Sequence, residues 1–370
     1  MSETYMAGLD DRTRQHGFGI VGAGVIASTH AKAIAAIPAA RLVAVTDVVP
    51  ERARAFAERQ SCQVEPDLGA LLARADVDIV SVCVPSGLHA EVGIRVAAAG
   101  KHLVVEKPID VTLAAADRLI DAVRSAGVVM TVISQHRFDP GLVALRRLLD
   151  EGALGRLVFG EASTKWYRTQ GYYDSAAWRG TWELDGGALM NQGIHYVDLL
   201  RWSMGPLAEV MAVCTTQTHQ METEDVALAT LRFSSGAVGT IVASTAIFPG
   251  FAQRLEISGV QGTVVIENGE IVHRAFSAEL PELGDRGSQV GTGPIGSAAA
   301  ANASALGVAS HAAQIADLMA AIDEGRQPLV TAESARDALE VVCAVYESAR
   351  EGRVVVLSGA RGEAHDAAMR

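Results

Sequence analysis

Several sets of residues in this chain have types and spacings that could do chemistry. The first is Gly19-Ile20-Val21-Gly22-Ala23-Gly24-Val25-Ile26-Ala27, a G-x-G-x-x-A pattern directly behind the apolar run 18–21. In such a turn Gly22 allows the tight bend, Gly24 lets a pyrophosphate approach the backbone, and Ala27 keeps the next helix close to the sheet. The helix N-terminus at Val25 and Ile26 would offer free N–H groups and a positive dipole end to phosphates. Asp47 follows Gly24 by 23 residues, at the end of a second apolar run. A carboxylate there accepts both ribose hydroxyls and repels a 2′-phosphate, which favours NAD over NADP. The plain alternatives are an ordinary βα turn and an Asp that starts a helix ahead of Pro50.

A second set is His102-Leu103-Val104-Val105-Glu106-Lys107-Pro108, an apolar strand ending in Glu-Lys-Pro. Ligands of open α/β sheets bind beyond the C-terminal ends of strands, which puts Lys107 at the rim. Its ammonium could favour the alkoxide that forms as hydride leaves an alcohol. Glu106, its neighbour on a strand, should face the other way. On spacing alone, Lys107 could equally be a solvated surface lysine.

A third set lies in Gly186-Gly187-Ala188-Leu189-Met190-Asn191-Gln192-Gly193-Ile194-His195-Tyr196-Val197-Asp198. If 188–203 is a helix, Asn191, His195 and Asp198 share one face, with Met190, Ile194 and Val197 on another. A histidine among polar groups can exchange a proton near neutral pH; a solvent-facing polar stripe is the alternative. Upstream, all four tryptophans (Trp166, Trp178, Trp182, Trp202) and four of the six tyrosines crowd into 166–202. Aromatic faces suit the C–H faces of a sugar ring, and Arg168 and Arg179 could bind a carboxylate, a phosphate or ring hydroxyls. A core or a subunit interface could account for half of these aromatics. Trp166, Arg168, Tyr172 and Arg179 are the expected substrate contacts, with Asn191.

These residues must be held by two kinds of architecture. Up to about Phe138, strand-like runs (18–21, 41–46, 78–84, 102–106, 128–134) alternate with helical ones (51–59, 90–99, 113–125), the pattern of βαβ units and a parallel sheet. Beyond it, runs at 156–165, 209–217, 225–233, 237–245, 254–258 and 263–267 follow in close succession. Asn268-Gly269 then precedes 270–273, a strong hairpin signal. The fold expected is α/β, a doubly wound Rossmann sheet followed by an α+β domain with a mainly antiparallel sheet. The boundaries fall at 1–137 and 138–370, and the last helix (334–350) and strand (354–357) are expected to pack back on the first domain. Residues 284–310, rich in Gly, Ala and Ser, read either as a flap over the site or as a structureless excursion.

The chain has 370 residues, enough for two domains, and a net charge of −12. That balance argues against nucleic-acid or anionic-membrane surfaces, though not against an anionic small molecule in a local basic pocket. No apolar run spans a bilayer and the polar start is no secretory signal. Cys62, Cys83, Cys214 and Cys343 form no C-x-x-C pair, which suggests buried thiols in the cytoplasm. No metal is expected.

The glycine motif, Asp47, Glu106-Lys107-Pro108 and the run 186–198 occur in the order and spacing of the Gfo/Idh/MocA oxidoreductases, which the sequence resembles over nearly its whole length. The ending, from His311 through Tyr346-Glu347-Ser348-Ala349, is similar too. The resemblance implies a Rossmann domain and a second domain with an open-faced sheet. It also implies an active site lined by Lys107 and His195, often with a cis bond before the proline. It extends the cofactor contacts to Pro85, His89, Glu106 and Lys107. Two positions depart from the family. Asn191 stands where many members carry Asp and can orient a hydroxyl but not accept its proton. Val84-Pro85-Ser86 replaces the common Thr-Pro-Asn, so Pro85 shapes the cofactor loop without the amide contact, and His89 could simply start the next helix.

The activity implied is hydride transfer between a secondary hydroxyl of a sugar, nucleotide sugar or cyclitol and NAD, by a homodimer or homotetramer. An NAD-retaining, redox-neutral glycosidase and a non-catalytic dinucleotide or sugar sensor are the alternatives on the same fold.

Overall fold

The structure is a computed structural model that describes residues 15–277 and 308–357. All but the last three residues of the 284–310 stretch lie outside the described residues. The first sheet has six parallel strands: β1 (His16–Val21), β2 (Ala40–Thr46), β3 (Gln63–Val64), β4 (Ile79–Val82), β5 (His102–Val105) and β6 (Met130–Val132). Their spatial order is β3-β2-β1-β4-β5-β6, so the chain reverses direction across the sheet between β1 and β4. Helices α1 (Val25–Ala35), α2 (Pro50–Gln60), α3 (Leu68–Leu72), α4 (His89–Ala98) and α5 (Leu113–Ala126) connect the strands. With both faces covered, β1 and β4 are buried along their whole length, as parallel sheets require. The crevice above the β1/β4 reversal is where ligands of such sheets bind, and the glycine turn and Lys107 both lie at that edge.

After α6 (Pro140–Asp150) the second sheet begins with β7 (Leu157–Lys165). The chain then runs through α7 (Gln170–Tyr173) and α8 (Ile194–Met204) to β8 (Leu207–Thr215), β9 (Val226–Phe233) and β10 (Val238–Ser244). β11 (Arg254–Gly259), β12 (Gly262–Glu267) and β13 (Glu270–Phe276) follow, then α9 (Ala309–Glu324), α10 (Ala332–Glu351) and β14 (Val355–Val356). The eight strands are ordered β13-β12-β11-β7-β10-β9-β8-β14, and only β7 and β10 run parallel. β9 shows how one face is chosen: Ala227, Ala229, Leu231 and Phe233 are buried while their alternate neighbours are exposed. Helices α8 and α10 lie against the sheet, and the opposite face leaves Val213 62% and Leu228 47% exposed. Asn268 and Gly269 both take positive φ (47° and 85°), the two-residue turn whose twist matches the flanking strands.

Two expectations are corrected here. β14 extends the second sheet, pairing with β8, because Val355 and Leu357 complete that sheet's core. The last helix, α10, lies chiefly on β8 and α8 and also packs on α5 and β6 of the first unit. Helix α9 packs on α1 of the first unit as well, through Ile315, Leu318 and Met319. Finally, the expected helix over 188–203 opens as a π-helical turn, Leu189–Gly193, before the α-helix proper. One apolar cluster joins the two units, running from Leu103 and Leu119 through Leu339 and Val342 of α10 to Leu199 and Leu231. No helix among the described residues is long and apolar enough to cross a membrane.

Candidate active site

Backbone geometry builds the nucleotide side. Gly22 takes φ +93°, and a Cβ there would sit 2.5 Å from the Cys83 carbonyl, so the strand end and the β4 edge close up only on a glycine. Gly24 faces open space, with nothing within 4 Å of where its Cβ would be. It precedes α1 without a side-chain cap, and the first turn of that helix holds no acidic residue. The N–H groups at Val25 and Ile26 are therefore available to a phosphate. Asp47 ties this turn to β2: its Oδ2 accepts from Ala23 N (2.7 Å) and its Oδ1 from Val49 N (2.7 Å). Each carboxylate oxygen keeps acceptor capacity for a ribose hydroxyl. The residues present thus fit a dinucleotide.

The loop after β4 closes the other side of the crevice. Pro85 is half-buried at its start. His89 is buried and directs Nδ1 at the Pro108 carbonyl (2.6 Å) and Nε2 at the Val84 carbonyl (3.0 Å). Burial lowers its pKa, and the neutral ring has one N–H to donate to one of these two carbonyls, which lie on this loop and on the Lys107-Pro108 segment. His89 thus sits inside the loop, 1% exposed.

Glu106 is buried at the end of β5. It turns away from Lys107 and is 5% exposed, with Oε1 accepting from His30 Nε2 (2.8 Å) and Oε2 from the Lys107 N–H. Burial alone would raise its pKa, but the hydrogen bond and charge of His30, with Lys107 behind, hold it at about 2. Possible donor atoms of His30, Glu106 and His311 lie within 4.8 Å of one another in this buried nest. The nest anchors the strand end from which Lys107 projects the other way.

The Lys107–Pro108 bond is cis. Lys107 Nζ donates to the Asn191 carbonyl (2.7 Å) and, more weakly, to its Oδ1 (3.4 Å). Burial lowers the lysine pKa, Glu106 and Asp185 oppose that, and Arg179 and Arg168 reinforce it. His195, one turn on, is half-buried and close enough to Lys107 to feel its charge. Its ring meets His136 edge-on at 5.2 Å. Burial and then the charge of Lys107 hold it well below the usual histidine range, so it is neutral and able to accept a proton. Asp198 does not join this group. Its carboxylate is bonded through both oxygens to the buried Arg137 guanidinium.

The opposite wall comes from the segment 166–185. Trp166 is 6% exposed and lies under the Arg168 guanidinium, 4.9 Å from its ring centroid. Its ring thus supports Arg168. The Tyr172 ring lies between two guanidiniums, Arg179 at 4.3 Å and Arg168 at 5.4 Å. Its hydroxyl accepts from Arg179 Nη1 (2.7 Å) and Gln192 Nε2 (3.3 Å). Trp178 supports Arg179, while Trp202 stands elsewhere between Arg137 and Arg146.

Several residues here were not singled out from the sequence. Asp185 accepts from Gly180 N (2.8 Å) and from the Asn191 amide, and burial raises its pKa. Glu224 caps the π-helical turn at Leu189 N (2.8 Å) and accepts from Tyr346 Oη (3.0 Å). Burial lifts its pKa to about 7. The signal for Asp185 was its place just before Gly186-Gly187; for Glu224 it was a pair of acids at the head of an apolar strand.

Residues 16–134 match the model of an oxidoreductase family with an NAD-binding Rossmann fold, and residues 142–265 match the Gfo/Idh/MocA C-terminal domain. An inositol 2-dehydrogenase of Rhizobium meliloti is 31% identical over 68% of this chain and 75% of its own length. The chain belongs to the Gfo/Idh/MocA family. It is an NAD-binding oxidoreductase of the dehydrogenase type. A myo-inositol 2-dehydrogenase of Thermotoga maritima is 30% identical over 73% of this chain and 80% of its own. Among solved structures, the WlbA dehydrogenase of Bordetella pertussis, in complex with NADH and UDP-GlcNAcA, is similar with a TM-score of 0.84. It is 32% identical, covering 94% of this chain and 99% of that one.

Proposed function

We propose that the chain oxidises a secondary hydroxyl of a sugar, nucleotide sugar or cyclitol with NAD+, or reduces the matching ketone. The observation that carries this reading is the Lys107 ammonium, set at the C-terminal end of β5 by the Asn191 carbonyl, with His195 one turn beyond Asn191 and within reach of the lysine's charge. NAD+ supplies the hydride acceptor. Lys107 would donate to the substrate oxygen and stabilise the alkoxide, at a pKa already lowered by burial. His195, held neutral, would take the proton. Asn191 orients Lys107 and, as an amide, leaves proton transfer to the other two. The Asp47 carboxylate favours NAD over NADP. Named relatives that act on inositol, and the WlbA dehydrogenase with its nucleotide sugar, support the substrate range.

The test is absorbance of reduced nicotinamide with purified protein, NAD+ or NADP+, and a panel of sugars, cyclitols and UDP-sugars. A substrate-dependent rise with NAD+ is expected, falling by about 10²–10⁴-fold in Lys107→Ala and in His195→Ala. A flat trace from protein that binds NADH would overturn the reading. The apolar outer face of the second sheet, with Met211, Val213 and Leu228 exposed, supports a homodimer or homotetramer, to be checked by light scattering. Four unbridged cysteines fit a cytoplasmic setting.

A further inference from the structure

Lys107 is held through an amide, and behind that amide lies a buried carboxylate. Lys107 Nζ donates to the Asn191 carbonyl (2.7 Å) and reaches its Oδ1 at 3.4 Å. The other end of the same side chain, Asn191 Nδ2, donates to Asp185 Oδ1. An ammonium can only donate and an ionised carboxylate can only accept, so the two partners demand the same orientation of the amide. Asp185 is 1% exposed, and its Oδ2 accepts from Gly180 N (2.8 Å). Burial raises its pKa, while the bonds from Gly180 and Asn191 and the charges of Arg179 and Lys107 favour the ionised form. Around Lys107 itself, burial disfavours the ammonium; Glu106 and then Asp185 counter this, and Arg179 and Arg168 add to it. His195, on α8, is held neutral. Glu106 is turned to His30, so the carboxylate that acts from the opposite wall is Asp185.

We infer that Asp185 is a positioning residue for the reaction: it fixes the Asn191 amide with Oδ1 toward Lys107 and keeps the Lys107 side chain an ammonium. This rests on the dehydrogenase reading above and adds a residue to it. Asp185 reaches Lys107 through the amide and touches no reacting atom. An Asp at 191, where many family members carry one, would set two carboxylates in contact, and one would have to take a proton. The amide avoids that conflict and bridges an acceptor-only group to a donor-only one. Without the Asp185 charge, Glu106 alone would stand against burial and two guanidiniums, so Lys107 would give up its proton at lower pH.

The experiment follows the titration of Lys107 in the full chain by competitive labelling with acetic anhydride, read by mass spectrometry, which needs no substrate. Asp185→Asn keeps the shape of the side chain and an acceptor for the Gly180 N–H, and removes the charge. Its Lys107 should titrate about one pH unit lower than in wild type, the size expected for one nearby charge. At a pH below both midpoints it should label about 10-fold faster. The swap Asp185→Asn/Asn191→Asp moves the carboxylate to the other end of the pair and should return the midpoint to the wild-type position or above it. An unmoved midpoint in the first variant, or no recovery in the second, overturns the inference when the protein binds NADH. If Asp185→Asn alone fails to bind NADH, the swapped protein decides. Restored binding with the midpoint at or above wild type supports the pairing, and a swap that also fails overturns it. The alkaline limb of kcat should move with the labelling midpoint. A labelling shift in a protein that forms no NADH from sugars, cyclitols or UDP-sugars leaves Asp185 paired with Lys107 and removes the dehydrogenase. Turnover in wild type with no labelling shift in the variant does the reverse.

Discussion

Each half of this molecule buries a glutamate close to the site, and the two titrate in opposite directions. On the cofactor side Glu106 meets a cation: His30 bonds it at 2.8 Å, Lys107 stands next to it, and its pKa falls to about 2. On the substrate side Glu224 is bonded only to neutral donors, Leu189 N and Tyr346 Oη, and burial lifts it to about 7. Burial penalises both carboxylates alike; the presence or lack of a counter-charge decides which one stays ionised. The first therefore locks the strand end behind Lys107 as a permanent charge. The second caps the turn that carries Asn191 with a group whose charge changes around neutral pH.

The same replacement at both sites should separate them. Glu106→Gln leaves His30 and the Lys107 strand end without their carboxylate, a loss of about 3–5 kcal/mol expected for breaking a buried pair. Because the native pKa of Glu106 is depressed, its contribution is present above the unfolded pKa of 4.5 and is lost as pH falls toward 2. Denaturant unfolding at pH 7 and pH 3 measures this: the gap between wild type and variant should shrink at the lower pH. A variant as stable as wild type at pH 7 would mean that the pair is not ionised.

Glu224→Gln should behave in the opposite sense and more weakly. A raised native pKa gives stability that is full below 4.5 and is lost as pH rises through about 7. The shift corresponds to about 3 kcal/mol across that window. Relative to wild type, Glu224→Gln should gain about that much between pH 4.5 and 8, read as a Tm difference that grows with pH and is flat above 8. Other groups titrate in both proteins and cancel in the difference. A pH-independent difference would show that Glu224 is ionised throughout.

The two halves also differ in how much of them the sequence discloses. The cofactor turn is one local segment, Gly22 to Ile26 plus Asp47, made of backbone whose conformation follows from residue type. The alternation of strands and helices, the Asn268-Gly269 hairpin and the antiparallel second sheet are local signals of the same kind. The substrate wall is assembled from side chains at 107, 168–192 and 224, and no local rule states that Trp166 would lie beneath Arg168 or that Asp198 would turn to Arg137. The π-helical turn at Leu189–Gly193 defeats spacing arguments outright, since one extra residue per turn rotates every later side chain. Helix α6 was missed although Pro140 and Leu142, Leu145 and Leu148 marked it. The fate of β14 depended on which sheet edge was free, which is a tertiary property.

The smallest effect tests the more legible half. Asp47 holds Ala23 N and Val49 N and presents its remaining lone pairs where a ribose would lie. Asp47→Ala should weaken NADH binding by about 10–100-fold, the worth of one or two hydrogen bonds to a charged acceptor. It should weaken NADPH binding less, because the lost carboxylate also repelled the 2′-phosphate. Asp47→Asn separates the two contributions. The amide carbonyl can still accept one of the backbone N–H bonds, so the turn is largely kept while the charge is gone. If the Asn variant closes most of the gap between NADH and NADPH, charge sets the cofactor choice. If only the Ala variant loses NADH, Asp47 acts chiefly by shaping the turn, and the backbone account of this half extends to its one acidic side chain.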